Sequence, residues 1–96
     1  MTSSPVVAGI GEMLWDVYSD RAHFGGAPAN FACHAASLGA ESWMVSAVGD
    51  DALGHSALDS LRAMGVRCDH VARDPVHATG RVLVTLDAAG QPQYEI

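Results

Sequence analysis

Gly25-Gly26-Ala27-Pro28-Ala29-Asn30-Phe31-Ala32 opens a stretch that runs through Gly39 to Gly49-Asp50-Asp51-Ala52-Leu53-Gly54, and its reading decides the fold. A glycine pair leaves backbone without a Cβ in the way of a ligand. Proline suits the first turn of a helix, where its missing N–H would go unpaired anyway. The other free N–H groups of that turn put a positive end at the same spot. Asn30 lies in that turn and brings an amide that can both donate and accept. The same residues would equally serve a plain strand-to-helix turn with Asn30 in solvent.

Working outward, the spacing predicts a helix from about Pro28 to Leu38, stopped by Gly39 in a left-handed conformation. Phe31, Ala35 and Leu38 share one face, and the small Ala29, Ala32 and Ala36 let the helix sit close to a sheet. Glu41 to Val48 alternates as a strand. Asp50 or Asp51 caps a second helix to about Met64, with Leu53, Ala57, Leu61 and Met64 as its apolar stripe and Gly65 as its stop. Val66 to Val71 reads as a short strand.

Upstream, Val6 to Gly11 is an apolar run of the kind that forms a buried strand. It continues through Glu12 to Tyr18, with Trp15 and Val17 on one face and Asp16 and Tyr18 on the other. Ser19 to His23 reads as a turn. Downstream of Gly80, Arg81 to Asp87 alternates, Ala88-Ala89-Gly90 turns, and Gln91 to Ile96 starts back as a hairpin. A β-α-β-α-β order followed by a hairpin predicts an α/β chain with a parallel sheet and an antiparallel accessory.

The totals exclude several functions. The chain has 96 residues and a net charge of −6, with five arginines and no lysine. Arg21, Arg62, Arg67, Arg73 and Arg81 are scattered, whereas nucleic acid needs a concentrated positive surface. No apolar run approaches the roughly 20 residues of a membrane span, and the first ten residues carry no basic leader. Cys33 and Cys68 read as free thiols of a cytoplasmic protein. At 49% hydrophobic residues, the chain has enough apolar material for a core.

Asp16 follows the first apolar strand, where a side chain in an α/β protein points into the ligand crevice at the strand's carboxyl end. A carboxylate there can accept a hydrogen bond from each of two sugar hydroxyls, although a solvated strand-end Asp has the same local sequence. Three competing motifs fail. Gly9-Ile10-Gly11 lacks the third glycine and the following helix of a dinucleotide fingerprint, and a Walker-type phosphate loop needs a lysine. Cys33-His34 and Cys68/His70 do not have zinc-site spacing, while His23, His55 and His77 are isolated, so no metal site is expected.

Residues 25–49 resemble the N-terminal signature of the ribokinase-like (PfkB-type) carbohydrate kinases. That signature is carried here by Gly25, Gly26, Pro28, Asn30, Ala32, Gly39 and Gly49. Gly11-Glu12-Met13-Leu14-Trp15-Asp16 is similar to the family's opening strand with its sugar-binding Asp. Gly49-Asp50-Asp51 with Gly54 is similar to its second glycine-acid turn, and Thr79-Gly80-Arg81-Val82 to the segment feeding its lid. The Gly-Ala-Pro-Ala-Asn wording resembles the fructokinase-like branch.

The resemblance implies a three-layer α/β sandwich with a parallel central sheet and a β-strand lid at about residues 17–24 and 81–96. It implies transfer of the γ-phosphoryl of ATP, with Mg²⁺, to a primary hydroxyl of a sugar, with fructose the expected substrate. Asp16, Gly26 and Asn30 would hold the sugar and Gly25 would shape the loop; a homodimer through the lid strands is one arrangement it allows. The family's Gly-Ala-Gly-Asp catalytic motif does not occur in these 96 residues. They are therefore expected to be the N-terminal segment of one kinase domain, with no catalytic residue and with the ATP and Mg²⁺ sites elsewhere. In isolation the chain is expected to be inactive and to aggregate or order only partly, because a sheet face and a strand edge would be bare. The alternatives are a kinase for a nucleoside or for a 2-keto-3-deoxy sugar acid, with Arg81 as the nearest cation, and a non-catalytic sugar-binding or dimerisation module. A Rossmann oxidoreductase is more remote.

Overall fold

The computed structural model describes residues 4–95 and contains two sheets. The first is parallel, with β1 (Val6–Ile10) beside β4 (Glu41–Gly49) and β4 beside β5 (Arg67–Asp74). Helices α1 (Ala27–Ser37) and α2 (Ala52–Ala63) cross back over it. The second sheet has the order β3-β2-β6-β7, built from β2 (Leu14–Val17), β3 (Ala22–Gly25), β6 (Gly80–Leu86) and β7 (Pro92–Glu95). There β2 runs antiparallel to β3 and parallel to β6. The expected fold class holds: an α/β layer with a parallel sheet and a separate mixed sheet.

Period 2 along β4 decides which face carries the core. Ser42, Met44 and Val48 are buried toward the helices, where Ala29 and Ala32 of α1 and Ala57, Leu58 and Leu61 of α2 meet them. The alanine face of α1 is therefore the packed one, while Phe31 and Leu38 stand in solvent. Close approach is locked by the buried Ser42 hydroxyl, which donates to the Ala32 carbonyl at 2.7 Å. On the opposite face, Ile10 is 72% exposed and Val45 37% exposed.

Three expectations need correction. The strand at β1 is not buried: among its residues only Gly9 is, because among the described residues β1 is an edge strand with helices over one face. The run from Val6 to Tyr18 is not one strand. Gly11, at φ 140°, breaks it, and β2 belongs to the other sheet. The accessory strands therefore begin at Leu14 rather than Val17, and the first two form a hairpin, β2–β3, that precedes α1. Its tight turn is closed by Tyr18 N–H to Arg21 C=O at 2.8 Å, so Ala22 and His23, expected in the turn, lie in β3.

The downstream half follows expectation more closely. Gly39 and Gly65 end their helices at φ 94° and 84°. The β6–β7 turn is held by Asp87, whose carboxylate accepts from the N–H groups of Ala89 and Gln91 at 2.9 Å. Ile96, the last residue of the expected returning strand, lies outside the described residues. The second sheet projects from the first, giving a radius of gyration of 14.8 Å against about 12.5 Å for a compact chain of this length.

Candidate functional site

The site lies where the two sheets join, at the start of α1. Gly9 and Gly11 make that junction tight. A Cβ on Gly9 would fall on the Pro28 carbonyl oxygen, and one on Gly11 would come within 2.9 Å of the Pro28 ring. These two glycines thus serve to seat the first turn of α1.

Gly25 and Gly26 divide the work between them. Gly26 is the N-cap of α1 at φ 103°, a conformation costly for any residue with a Cβ, and an added Cβ would press on the Glu12 carbonyl oxygen at 3.0 Å. Gly26, rather than Gly25, therefore shapes the loop. Gly25 is buried and paired with Leu14, yet a Cβ built on it would meet nothing within 4 Å. The protein leaves that space open.

Asp16 stands on β2 one side-chain step beyond the Leu14–Gly25 pair, opposite His23 on β3 and Val82 on β6. It is half-buried, and Asn30 in the first turn of α1 is exposed. Among the described residues neither side chain is committed to a hydrogen bond. Asp16 thus sits within the second sheet and not, as its position after the apolar run suggested, at the carboxyl end of β1. By register Leu14, His23 and Val82 share its face, while Trp15, Phe24 and Arg81 take the other.

Below this face the second sheet is anchored to α2. The Trp15 indole N–H donates to the Leu53 carbonyl at 3.0 Å, and its ring packs on Phe24 at 5.4 Å between centroids. Asp51, which settles the cap left open between it and Asp50, accepts from Gly54 N–H at 2.8 Å. It also accepts from the buried Thr79 twice, from the hydroxyl at 2.6 Å and from the N–H at 3.0 Å. Both segments carry local signals of their own, but nothing local to either signals a contact across so much intervening chain.

The Thr79 hydroxyl, then the N–H groups of Thr79 and Gly54, hold the Asp51 carboxyl below the usual aspartate value of 3.8. A depressed folded-state pKa adds stability that is complete above the unfolded value and is lost as pH falls through the folded one. The Asp51 contribution to the urea midpoint should therefore be complete above about pH 5 and be lost progressively below it. In Asp51→Asn the acid fall of the midpoint should be shallower but not absent, because Asp74 is also held low by the N–H of Val76 and by His77. An acid limb of unchanged steepness in Asp51→Asn would mean that the contact with Thr79 does not form.

Burial raises both thiols, Cys33 and Cys68, which makes them poor nucleophiles. Among the described residues no three His, Cys, Asp or Glu side chains converge on a metal position. No helix there is long and apolar enough to cross a membrane. A cleft of about 650 Å³ opens between the Tyr18–Arg21 turn and β6, at the far end of β2 from Gly25. Its cation, Arg21, is already engaged by the Tyr18 ring at 4.2 Å and by Asp20 at 3.1 Å.

Residues 9–95 match the model of the pfkB family of carbohydrate kinases. The chain is 32% identical to a probable fructokinase-5 of Arabidopsis thaliana over 98% of its own length and 33% of that protein's. The apo fructokinase of Vibrio cholerae O395 superposes with a TM-score of 0.91 at 34% identity, covering 97% of this chain and 34% of that one. A sugar kinase of Pyrococcus horikoshii, solved in complex with ATP, superposes at 0.82 with 33% identity, covering 94% of this chain and 33% of that one. The chain thus spans about a third of the length of these proteins.

Proposed function

Because this chain belongs to the pfkB family of carbohydrate kinases, we propose that it forms the sugar-binding part of an ATP-dependent kinase that phosphorylates a primary hydroxyl of fructose. The observation that carries this reading is the uncommitted Asp16 carboxylate beside the open space at Gly25. A carboxylate accepts from two adjacent hydroxyls and repels an anion. Asn30 adds a donor and an acceptor from the first turn of α1, and Gly26 lets the backbone come close. Arg81, the cation that a sugar acid would call for, lies on the opposite face of the sheet beside Trp15. This favours a neutral sugar over a 2-keto-3-deoxy sugar acid.

In this proposal the residues bind and orient the sugar, which is where phosphoryl transfer draws much of its rate. The second sheet acts as a lid that keeps water from the transferring group. ATP supplies the phosphoryl group and Mg²⁺ neutralises its charge. In the same proposal the residues that seat ATP and Mg²⁺ lie outside this segment. No step of the transfer itself is therefore assigned to the residues within it. A cytoplasmic location, in keeping with the two free cysteines, and a homodimer through the lid strands belong to the same proposal.

The test is a substrate panel on the protein as its own cell makes it, with ADP release followed in the presence of ATP and Mg²⁺. Fructose should give the highest kcat/KM, and the 96-residue chain alone should give no signal. Faster turnover of a nucleoside or of a 2-keto-3-deoxy sugar acid would overturn the assignment of fructose.

A further inference from the structure

Trp15 and Thr79 lie at the base of β2 and β6, the two central strands of the second sheet, and both reach the same turn of α2. Trp15 donates to the Leu53 carbonyl at 3.0 Å, and Thr79 donates to Asp51 through both its hydroxyl and its N–H. The Thr79 hydroxyl oxygen also accepts from Gly49 N–H at 2.9 Å. That corner has no slack: a Cβ on Gly54 would fall on the Gly49 carbonyl oxygen, and one on Gly49 would lie 2.5 Å from the Thr79 nitrogen. The β2–β6 ladder starts immediately beyond it, with Gly80 on Leu14 and then Val82 on Asp16. Asp16 is thus the next residue after one anchor on its own strand, and it pairs across the sheet just above the other.

We propose that Trp15 and the Thr79–Asp51 pair are positioning residues for the sugar carboxylate. They fix the second sheet to the first turn of α2 and so set where Asp16 stands relative to Gly25 and Asn30. The inference rests on the reading of Asp16 as the sugar-binding carboxylate. Neither Trp15 nor Thr79 needs to touch the sugar. Hydrogen bonds to a carboxylate are short and directional, so a small tilt of the sheet costs affinity without unfolding the chain.

The experiment measures D-fructose affinity by calorimetry on the protein as its own cell makes it, with the folded fraction followed by circular dichroism. Thr79→Val removes the hydroxyl at nearly constant shape and should weaken binding roughly tenfold. Thr79→Ser, which restores the hydroxyl, should return most of it. Trp15→Phe keeps a ring and loses the N–H, so a several-fold loss is expected from it even if Thr79→Val folds poorly. The deciding readout is the cycle with Asp16→Asn: once the carboxylate is gone, Thr79→Val should add little further loss. A role in stability alone predicts instead that the two losses multiply. Multiplying losses, or normal affinity in both Thr79→Val and Trp15→Phe, overturns the inference and leaves the sugar site standing. Unaltered fructose binding in Asp16→Asn removes the sugar-site reading itself, and the inference with it.

Discussion

Replacing Asp16 by alanine should weaken fructose binding about a hundredfold or more, because two hydrogen bonds to a charged acceptor are lost together. Stability should stay within about 0.5 kcal/mol of the parent, the usual range for a partly exposed side chain with no packing or pairing role. That combination is informative because Asp16 has no hydrogen-bond partner among the described residues, so folding has nothing to lose with it. Calorimetry for affinity and urea denaturation for stability check the two halves separately. A parallel loss of both would mean that the carboxylate holds the fold together. Unchanged affinity would remove Asp16 from the sugar site.

Gly54→Ala should have the largest effect on stability, about 3 kcal/mol of destabilisation. The sign is the point of interest. In an ordinary helix, alanine is better than glycine by about 1 kcal/mol. Here the added carbon lands on the Gly49 carbonyl oxygen and 2.8 Å from the Thr79 hydroxyl, and backbone cannot yield as a long side chain would. The first turn of α2 must lift, loosening the Asp51 cap and the Thr79 contact with it. Gly25→Ala is the control: its carbon meets nothing within 4 Å, so its urea midpoint should not fall. A Gly54→Ala midpoint at or above the parent's would mean that the corner is less crowded than described.

Much of this arrangement was legible in the sequence, for reasons that differ along the chain. The helices announced themselves because their signals are local: Pro28 at the start of α1, Asp51 at the start of α2, and Gly39 and Gly65 at the ends. The β6–β7 hairpin was readable from Asp87 to Gly90 for the same reason. The β2–β3 hairpin was not. Its strands have four residues each, and Ser19 to His23 reads as turn through residues that turn out to pair. Strand membership in one sheet or the other depends on partners far along the chain, and Gly11 gave a break without saying where the chain went next. The candidate site residues were nameable from their types and spacing. Their support from Trp15, Leu53 and Thr79 was not, since each contact is made across distant sequence.

The parallel pairing of β2 with β6 also fixes an order of events during synthesis. β1, β2 and the glycine loop leave the ribosome before β6, and Leu14 has no parallel partner until Gly80 has been made. The β2–β3 hairpin and α1 can form early from local contacts, whereas closing the β2–β6 ladder carries the entropy of a long loop. Asp16 is therefore held early against His23 in the hairpin, but its strand gains its second partner only once Val82 has been made. A nascent chain paused before β6 presents its glycine loop and first helix with the Asp16 strand paired on one side alone.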